Sequence, residues 1–410
     1  MKNSIYFFLM LMPVLANAQY LGSGAVTKGL ATTTTSNLYT CTNGRVTDLG
    51  TISATNSSVW TVPAVVNFTN ASFPFASNLY NPCTGALFAN NAAALAALNG
   101  SDIVTVDPNG EIITAYVFTD NYFEMYINGT PVGKDNVPFT QFNSNIVRFR
   151  VNRPFTIAML LVDWEEKLGV GCENNNGFLY HPGDGGLVAV FKDSLNYTIA
   201  KTGSDWKAQT FYTAPIMDLT CPSEFGNQRL SNNCSTQDSN DGTSYYGLHW
   251  SRPVNWMSET FNDSVFPQAS IYTNATVRVD NKPAYTNFAN IFDDVANDAQ
   301  FIWSTNLVLD NEVIVRNTVS SSTGIFENEN MENRIQLFPN PTKKEFQIAH
   351  DNSIKNSQIM LVSVYNSIGE KVFETNKYEN KISLPMLPNG VFFVRVSFDH
   401  LLITKKLIIQ

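Results

Sequence analysis

The strongest constraint on this chain is how short its apolar runs are. Between residues 104 and 320 they last roughly four to eight residues before Asn, Asp, Gly or Pro interrupts them, so the chain can bury a core only by pairing strands. An all-β sandwich or barrel is therefore expected. The clearest unit is Tyr122 to Gly129: Phe123, Met125 and Ile127 share one face, Tyr122, Glu124 and Tyr126 the other, and Asn128-Gly129 suits a tight hairpin turn. Further strands are expected at Ile146 to Val151, Thr156 to Val162, Leu187 to Phe191, Thr276 to Val279 and Val313 to Val315. The run from Phe155 to Val162 is apolar throughout and predicts a central strand. Ala92 to Leu98, begun by Asn91 and stopped by Gly100, predicts one short helix.

At 410 residues and 44% apolar the chain is large enough for two or three domains and for a sizeable core. Residues 1–18 read as a secretory signal: Lys2 supplies the positive end, Ile5 to Leu15 the apolar run, and Ala16-Asn17-Ala18 the cleavage site. Gln19 follows where a lipoprotein would carry Cys. No later stretch reaches membrane-spanning length, so no transmembrane segment is expected in the mature chain. The net charge is −9, with the acidic excess in residues 19–334 and a basic excess in 335–410. An acidic body without a Lys/Arg stripe disfavours nucleic acid as a partner.

Export through an oxidising compartment makes disulfides plausible for the five cysteines. The expectation is Cys221–Cys234 closing a short loop and Cys41–Cys83 as a second pair, with Cys172 left over; other pairings stay open at this level. Two stretches, Gly169 to Asp184 and Leu219 to Gly247, are crowded with Asn, Gly, Ser and Cys and read as long loops, the kind that carry binding groups or serve as disulfide-pinned decoration. Residues 320–334 read as a polar, acidic linker, with the body at 19–319 and an N-terminal extension at 19–103.

From Ile335 the chain runs through Pro339-Asn340-Pro341, an Ile368-Gly369 strand turn, and Asn389-Gly390-Val391-Phe392, then ends on Lys405-Lys406 and an aliphatic stretch. The alternating runs between these turns predict a small antiparallel β-sandwich at 335–410. Their order resembles the type A sorting domain of type IX secretion cargo in Bacteroidota, which implies recognition by the type IX secretion machinery and a secreted or surface-attached product. Residues 104–317 resemble galactose-binding-like β-sandwiches of jelly-roll type, through Asp120 to Gly133, Gly185 to Phe191, Thr202 to Lys207 and Phe261 to Ser264.

That second resemblance makes an extracellular glycan the leading ligand class, with a glycan-degrading hydrolase and a structural surface adhesin as alternatives. Tyr245, Tyr246, Trp250, Arg252 and Trp256 combine aromatic faces with a guanidinium and form the expected sugar-facing surface. The competing expectation is that Trp250 and Trp256 are partly buried plugs closing the sandwich. Trp164 and Trp206 are expected in the packing. Asp238, Asn240 and Asp241 bunch hard oxygen donors and make calcium the candidate metal, although the spacing departs from an EF-hand loop. Asp293-Asp294 with Asp298, and Asp310 with Glu312, are further calcium candidates that read equally well as solvated loop carboxylates. No HExxH, GxSxG or phosphate-binding glycine loop occurs. Asp163-Trp164-Glu165-Glu166 is the nearest thing to a hydrolytic carboxylate group, and neighbouring Glu residues on a strand point oppositely, so it reads better as a solvated strand end.

Overall fold

A computed structural model describes residues 20–139, 142–294, 298–320, 335–350, 361–376, 381–397 and 402–410. The signal segment and most of the linker lie outside these residues. The chain divides into two compact units that meet between Val319 and Ser320.

The first unit is a two-sheet sandwich. One sheet has seven strands in the order Ala25–Lys28, Tyr246–His249, Lys207–Ile216, Asp310–Val319, Phe155–Val162, Tyr122–Ile127 and Thr130–Lys134, every neighbour antiparallel. The other has nine, built around Gly186–Lys192, Glu111–Asp120 and Ser144–Val151. Phe123, Met125 and Ile127 pack inward with Ile157, Met159, Leu161, Val313 and Val315 against Val147, Phe149, Val188 and Val190. The period-2 pattern thus sorts side chains as expected, and Arg148 and Arg150 lie on the less buried face of their strand. Asn128 (φ 49°) and Gly129 (φ 83°) make a two-residue turn, with Thr130 opposite Ile127.

The outer face of the seven-stranded sheet is buried as well. Tyr122, Tyr126, Leu160, Val162 and Ile314 sit under Tyr20, Phe68, Phe73, Trp250, Trp256 and Phe266. The N-terminal stretch therefore folds as part of the body, covering a sheet that would otherwise expose aromatic rings. Its own small sheet comprises Thr32–Thr35, Leu49–Ser53 and Val59–Val62.

Three local expectations need correction. Thr276 to Val279 is not a strand: Asn274–Val277 is a helical turn, because the Thr273 side chain accepts from Thr276 N and Arg278 ends it at φ 59°. The helix expected at Ala92 to Leu98 spans Asn91–Ala96, and its cap is Asn90, whose side chain accepts from Ala93 N. The two long irregular stretches each contain a hairpin, Cys172–Asn175 with Phe178–Pro182 and Ser223–Phe225 with Gln228–Leu230.

The second unit has a three-stranded sheet, Ile335–Phe338, Glu345–His350 and Ile382–Ser383, and a four-stranded one ordered Lys371–Thr375, Leu361–Asn366, Gly390–Ser397, Leu402–Ile409. Cys41 is bonded to Cys83 and Cys221 to Cys234, while Cys172 is buried and unbridged. Titration of the purified protein in denaturant without reductant should give one reactive thiol. Three or five would overturn this pairing.

Candidate ligand-binding cleft

The Cys221–Cys234 bridge closes a loop whose hairpin, Ser223–Phe225 paired with Gln228–Leu230, packs against the Lys207–Ile216 strand of the seven-stranded sheet. Gly226 sits at the tip with φ 59°, a conformation that glycine adopts without strain. In the chain-entropy model a loop of this length stabilises the fold by about 3 kcal/mol. Gln209 Nε2 donates to Asn227 O at 2.6 Å and joins the tip to the Lys207–Ile216 strand. Between hairpin and sheet lies an open cleft of about 280 Å³, near the lower end of the range for small-molecule sites. Its apolar side is Phe211, Phe266, Val265 and Pro253, and its polar side includes Gln209, Asn227, Gln228, Arg229 and Ser251.

Two charged groups border it and their states differ. Glu224 accepts from Ser23 N and Oγ (both 2.8 Å), Gly24 N (3.3 Å), Trp250 Nε1 (3.0 Å) and Tyr20 Oη. Burial alone would raise its pKa, but the donors from Tyr20, Ser23 and Trp250 outweigh that and hold it below the usual carboxylate range. The Arg229 guanidinium lies 4.8 Å from the Phe211 ring centre and 4.7 Å from that of Trp250, and donates to Thr210 O. Burial lowers its pKa to about 10, with Glu224 pulling the other way, so it is cationic at neutral pH.

The five residues expected to face a sugar do not form one surface. Trp250 is 7% exposed and Trp256 4%, so neither ring offers an open face. Gly24 lies so close to Trp250 that a Cβ there would fall 2.8 Å from the ring, and Trp256 meets Tyr126 edge-on at 5.2 Å. Tyr245 is buried beside Val170 and Cys172, and Tyr246 is a half-buried strand residue under Lys28. Arg252 is turned inward, 3.1 Å from Glu312 and 2.8 Å from Val65 O. The plug reading describes both tryptophans. From that segment only Ser251 and Pro253 line the cleft. The signal that would have pointed to it is the Gly226-Asn227 turn inside a cysteine-closed loop, with Phe225 beside it.

Two of the first three calcium candidates have partners within the protein. Asp238 lies 2.6 Å from His181 Nδ1, and Asp241 accepts from Thr243 N and Oγ1 and from Ser244 N and Oγ in a local turn, while Asn240 is exposed. Among the described residues no group of three or more His, Cys, Asp or Glu is arranged to hold a metal. Several carboxylates read as solvated are buried. Asp310 accepts from Ser304 Oγ and Thr213 Oγ1 at 2.6 Å each, and Glu312 pairs with Arg252. Asp163 and Glu165 are 3% and 1% exposed, so their segment is no solvated strand end. Glu165 accepts from Gly169 N (3.1 Å), Gly171 N and Tyr212 Oη, which turns it into the body and away from Glu166, the acceptor for Asn174 N. Trp164 and Trp206 are core residues, as expected.

In the second unit, the terminal strand and the Pro339-Asn340-Pro341 turn are one structure. Asn340 Nδ2 donates to Lys406 O at 2.7 Å and its Oδ1 accepts from Ile408 N at 2.9 Å. Thr342 N donates to Ile408 O. Gly369 turns at φ 84°, and Gly390 pairs with Ile409. Lys405 and Lys406 pair across from Val394 and Phe393, while Ile403, Leu407 and Ile409 fill the core. Residues 336–410 match the family described as a secretion system C-terminal sorting domain. The tail is a sorting domain. It marks the protein for type IX secretion to the extracellular space or cell surface. No helix among the described residues is long and apolar enough to cross a membrane. No curated protein matches the chain. A solved structure, the adhesin domain of Epf from Streptococcus pyogenes, is similar at 12% identity with a TM-score of 0.17, over 72% of this chain and 91% of that one, too slight a likeness to carry an argument.

Two outcomes follow from these placements. Burial pushes the Glu165 carboxyl up to about 8, against the donors from Gly169 and Gly171, from an ordinary value of 4.5. Between those values the folded state keeps a proton that the unfolded chain releases, so this group's contribution is full below pH 4.5 and is lost as pH rises towards 8. Urea unfolding across that window should show a shallower pH slope for Glu165→Gln than for the parent; an unchanged slope would refute the assignment. Truncation after Ser322 should leave a folded body that accumulates in the periplasm of the native host, and normal export of the truncated chain would contradict the sorting role.

Proposed function

We propose that the body is a non-catalytic extracellular binding module that takes a glycan in the cleft under the Ser223–Leu230 hairpin. The observation that carries this reading is the pairing, in one preformed cleft, of a row of amide, hydroxyl and guanidinium groups with an apolar wall. Hydroxyl-rich rings need both: directional partners for their oxygens and an apolar surface for their C–H faces. The disulfide and the Gln209–Asn227 bond hold the wall in place before binding, which lowers the ordering cost. The resemblance of residues 104–317 to galactose-binding-like domains, and the secreted location, favour the same ligand class.

Binding is favoured over hydrolysis by the carboxylates. Glycoside hydrolysis ordinarily uses two acids across the scissile bond. Glu224 is the one carboxylate lining the cleft, and its oxygens are already taken by five donors.

The test is a glycan array probed with the full chain, followed by calorimetry on the best ligand. Ser251→Trp, which fills the mouth from an exposed position, should abolish binding, and Gln228→Ala, which removes a lining amide, should weaken it by about tenfold, the equivalent of about 1.4 kcal/mol. Both variants should keep the parent melting temperature to within about 2–4 °C. Retained affinity in Ser251→Trp would place the ligand elsewhere, and turnover of a bound polysaccharide would replace the binding reading with the hydrolase.

A further inference from the structure

The two charged residues bordering the cleft are not equivalent, and their difference bears on which glycans fit. Glu224 is saturated. Its two oxygens accept five hydrogen bonds, all from Tyr20, Ser23, Gly24 and Trp250 on the N-terminal cover and the strand beneath. Arg229 is the single cation in the lining, and among the described residues its guanidinium makes one hydrogen bond, to Thr210 O, which is a neutral acceptor. Among the described residues no carboxylate forms an ion pair with it; the carboxylates that act on it, Glu224 first, do so at longer range. Its planar faces are taken up by Phe211 and Trp250, which fix the group's orientation, and its remaining N–H edge has no acceptor among the described residues.

A guanidinium drawn partly out of water carries a desolvation cost, and here that cost depresses its pKa although nearby carboxylates, Glu224 first, act to raise it. A neutral sugar hydroxyl would supply one more weak acceptor. A carboxylate or sulfate would supply two oxygens in the planar spacing a guanidinium fork matches, and a charge in direct contact where Glu224 acts only at longer range. The amide and hydroxyl groups around Arg229, from Asn227, Gln228 and Ser251, add donors for the same anion or for the ring hydroxyls beside it. The overall net charge of −9 acts in the opposite sense at long range, so selection would come from contact inside the cleft and not from steering towards it.

We propose that the cleft is specific for acidic saccharides, with Arg229 as the residue that recognises a carboxylate or sulfate group on the sugar. This rests on the reading of the cleft as a glycan site. Arg229 is a specificity residue and acts by direct contact with the ligand.

The experiment compares matched ligands on the full-length protein by calorimetry: oligogalacturonate against its fully methyl-esterified form, and a sulfated galactan oligosaccharide against its desulfated form. The acidic member of at least one pair should bind about tenfold or more tightly than its neutral partner, since a hydrogen bond to a charged group is worth about 1.5–3 kcal/mol. Which pair responds separates the carboxylate from the sulfate as the recognised group. The preference should shrink with added salt. Arg229→Gln should bring acidic and neutral ligands to the same affinity, and Arg229→Lys should restore part of the difference. Because Arg229 also packs on two rings, the comparison of matched ligands on the unaltered protein decides the matter if the variants fold poorly. Equal or tighter binding of the neutral members would overturn acidic specificity and leave the glycan site standing. Binding of no glycan, neutral or acidic, would remove both.

Discussion

Burial of the Phe155–Val162 strand on both faces is the constraint around which the body is built. Its backbone is paired on each side, to Tyr122–Ile127 and to Asp310–Val319, and all eight side chains are buried. One set, Ile157, Met159 and Leu161, meets the second sheet. The other, Ala158, Leu160 and Val162, would face water unless something lay over it. A sheet of this kind needs a cover, and the chain provides one from residues distant in sequence: the segment from Tyr20 to Phe73 and the stretch carrying Trp250, Trp256 and Phe266.

The cover brings charge into the interior, and the charges are held by saturation. Glu124, on the covered face, accepts from Asn67 N and Nδ2, Tyr122 Oη and Tyr126 Oη. Lys134 donates to the carbonyls of Asn67, Phe68 and Asn70 and lies over the Phe75 ring at 4.4 Å. Both therefore grip the same turn of the N-terminal segment. Removing either partner would leave a buried charge without its acceptors or donors, a loss of about 3–5 kcal/mol for comparable groups. The cleft is a by-product of the same layering. There Phe211 and Trp250 hold the Arg229 guanidinium of the disulfide-closed hairpin, and the cleft opens beside it.

In the sorting domain a single side chain explains why separated motifs go together. Asn340 presents its amide to the backbone of the final strand on both sides of Leu407, so the Pro-Asn-Pro turn is a clasp for the chain's end. The prolines donate no N–H there, and the turn's hydrogen bonding falls to Asn340 and Thr342.

The amino-acid sequence determined what depends on neighbours along the chain. Alternation placed Phe123, Met125 and Ile127 on one face, Asn128-Gly129 made the turn that only residues tolerant of positive φ make easily, and the spaced motifs of residues 336–410 declared the sorting domain. Its reach ended where a property depended on residues brought together from afar. Period-2 alternation says that a strand has two faces, not that both are covered, so the buried state of Trp250, Trp256, Asp310 and Glu165 and the inward turn of Arg252 could not be read from their own surroundings. Thr276 to Val279 has strand-like composition, yet the Thr273 cap made it a helical turn. The cleft lies further still from local pattern, since its walls come from Ser23, Gln209, Arg229, Ser251 and Phe266, on five separate stretches. Which of those side chains keeps an unspent hydrogen-bonding edge is a property of their packing together, and only the tertiary structure decides it.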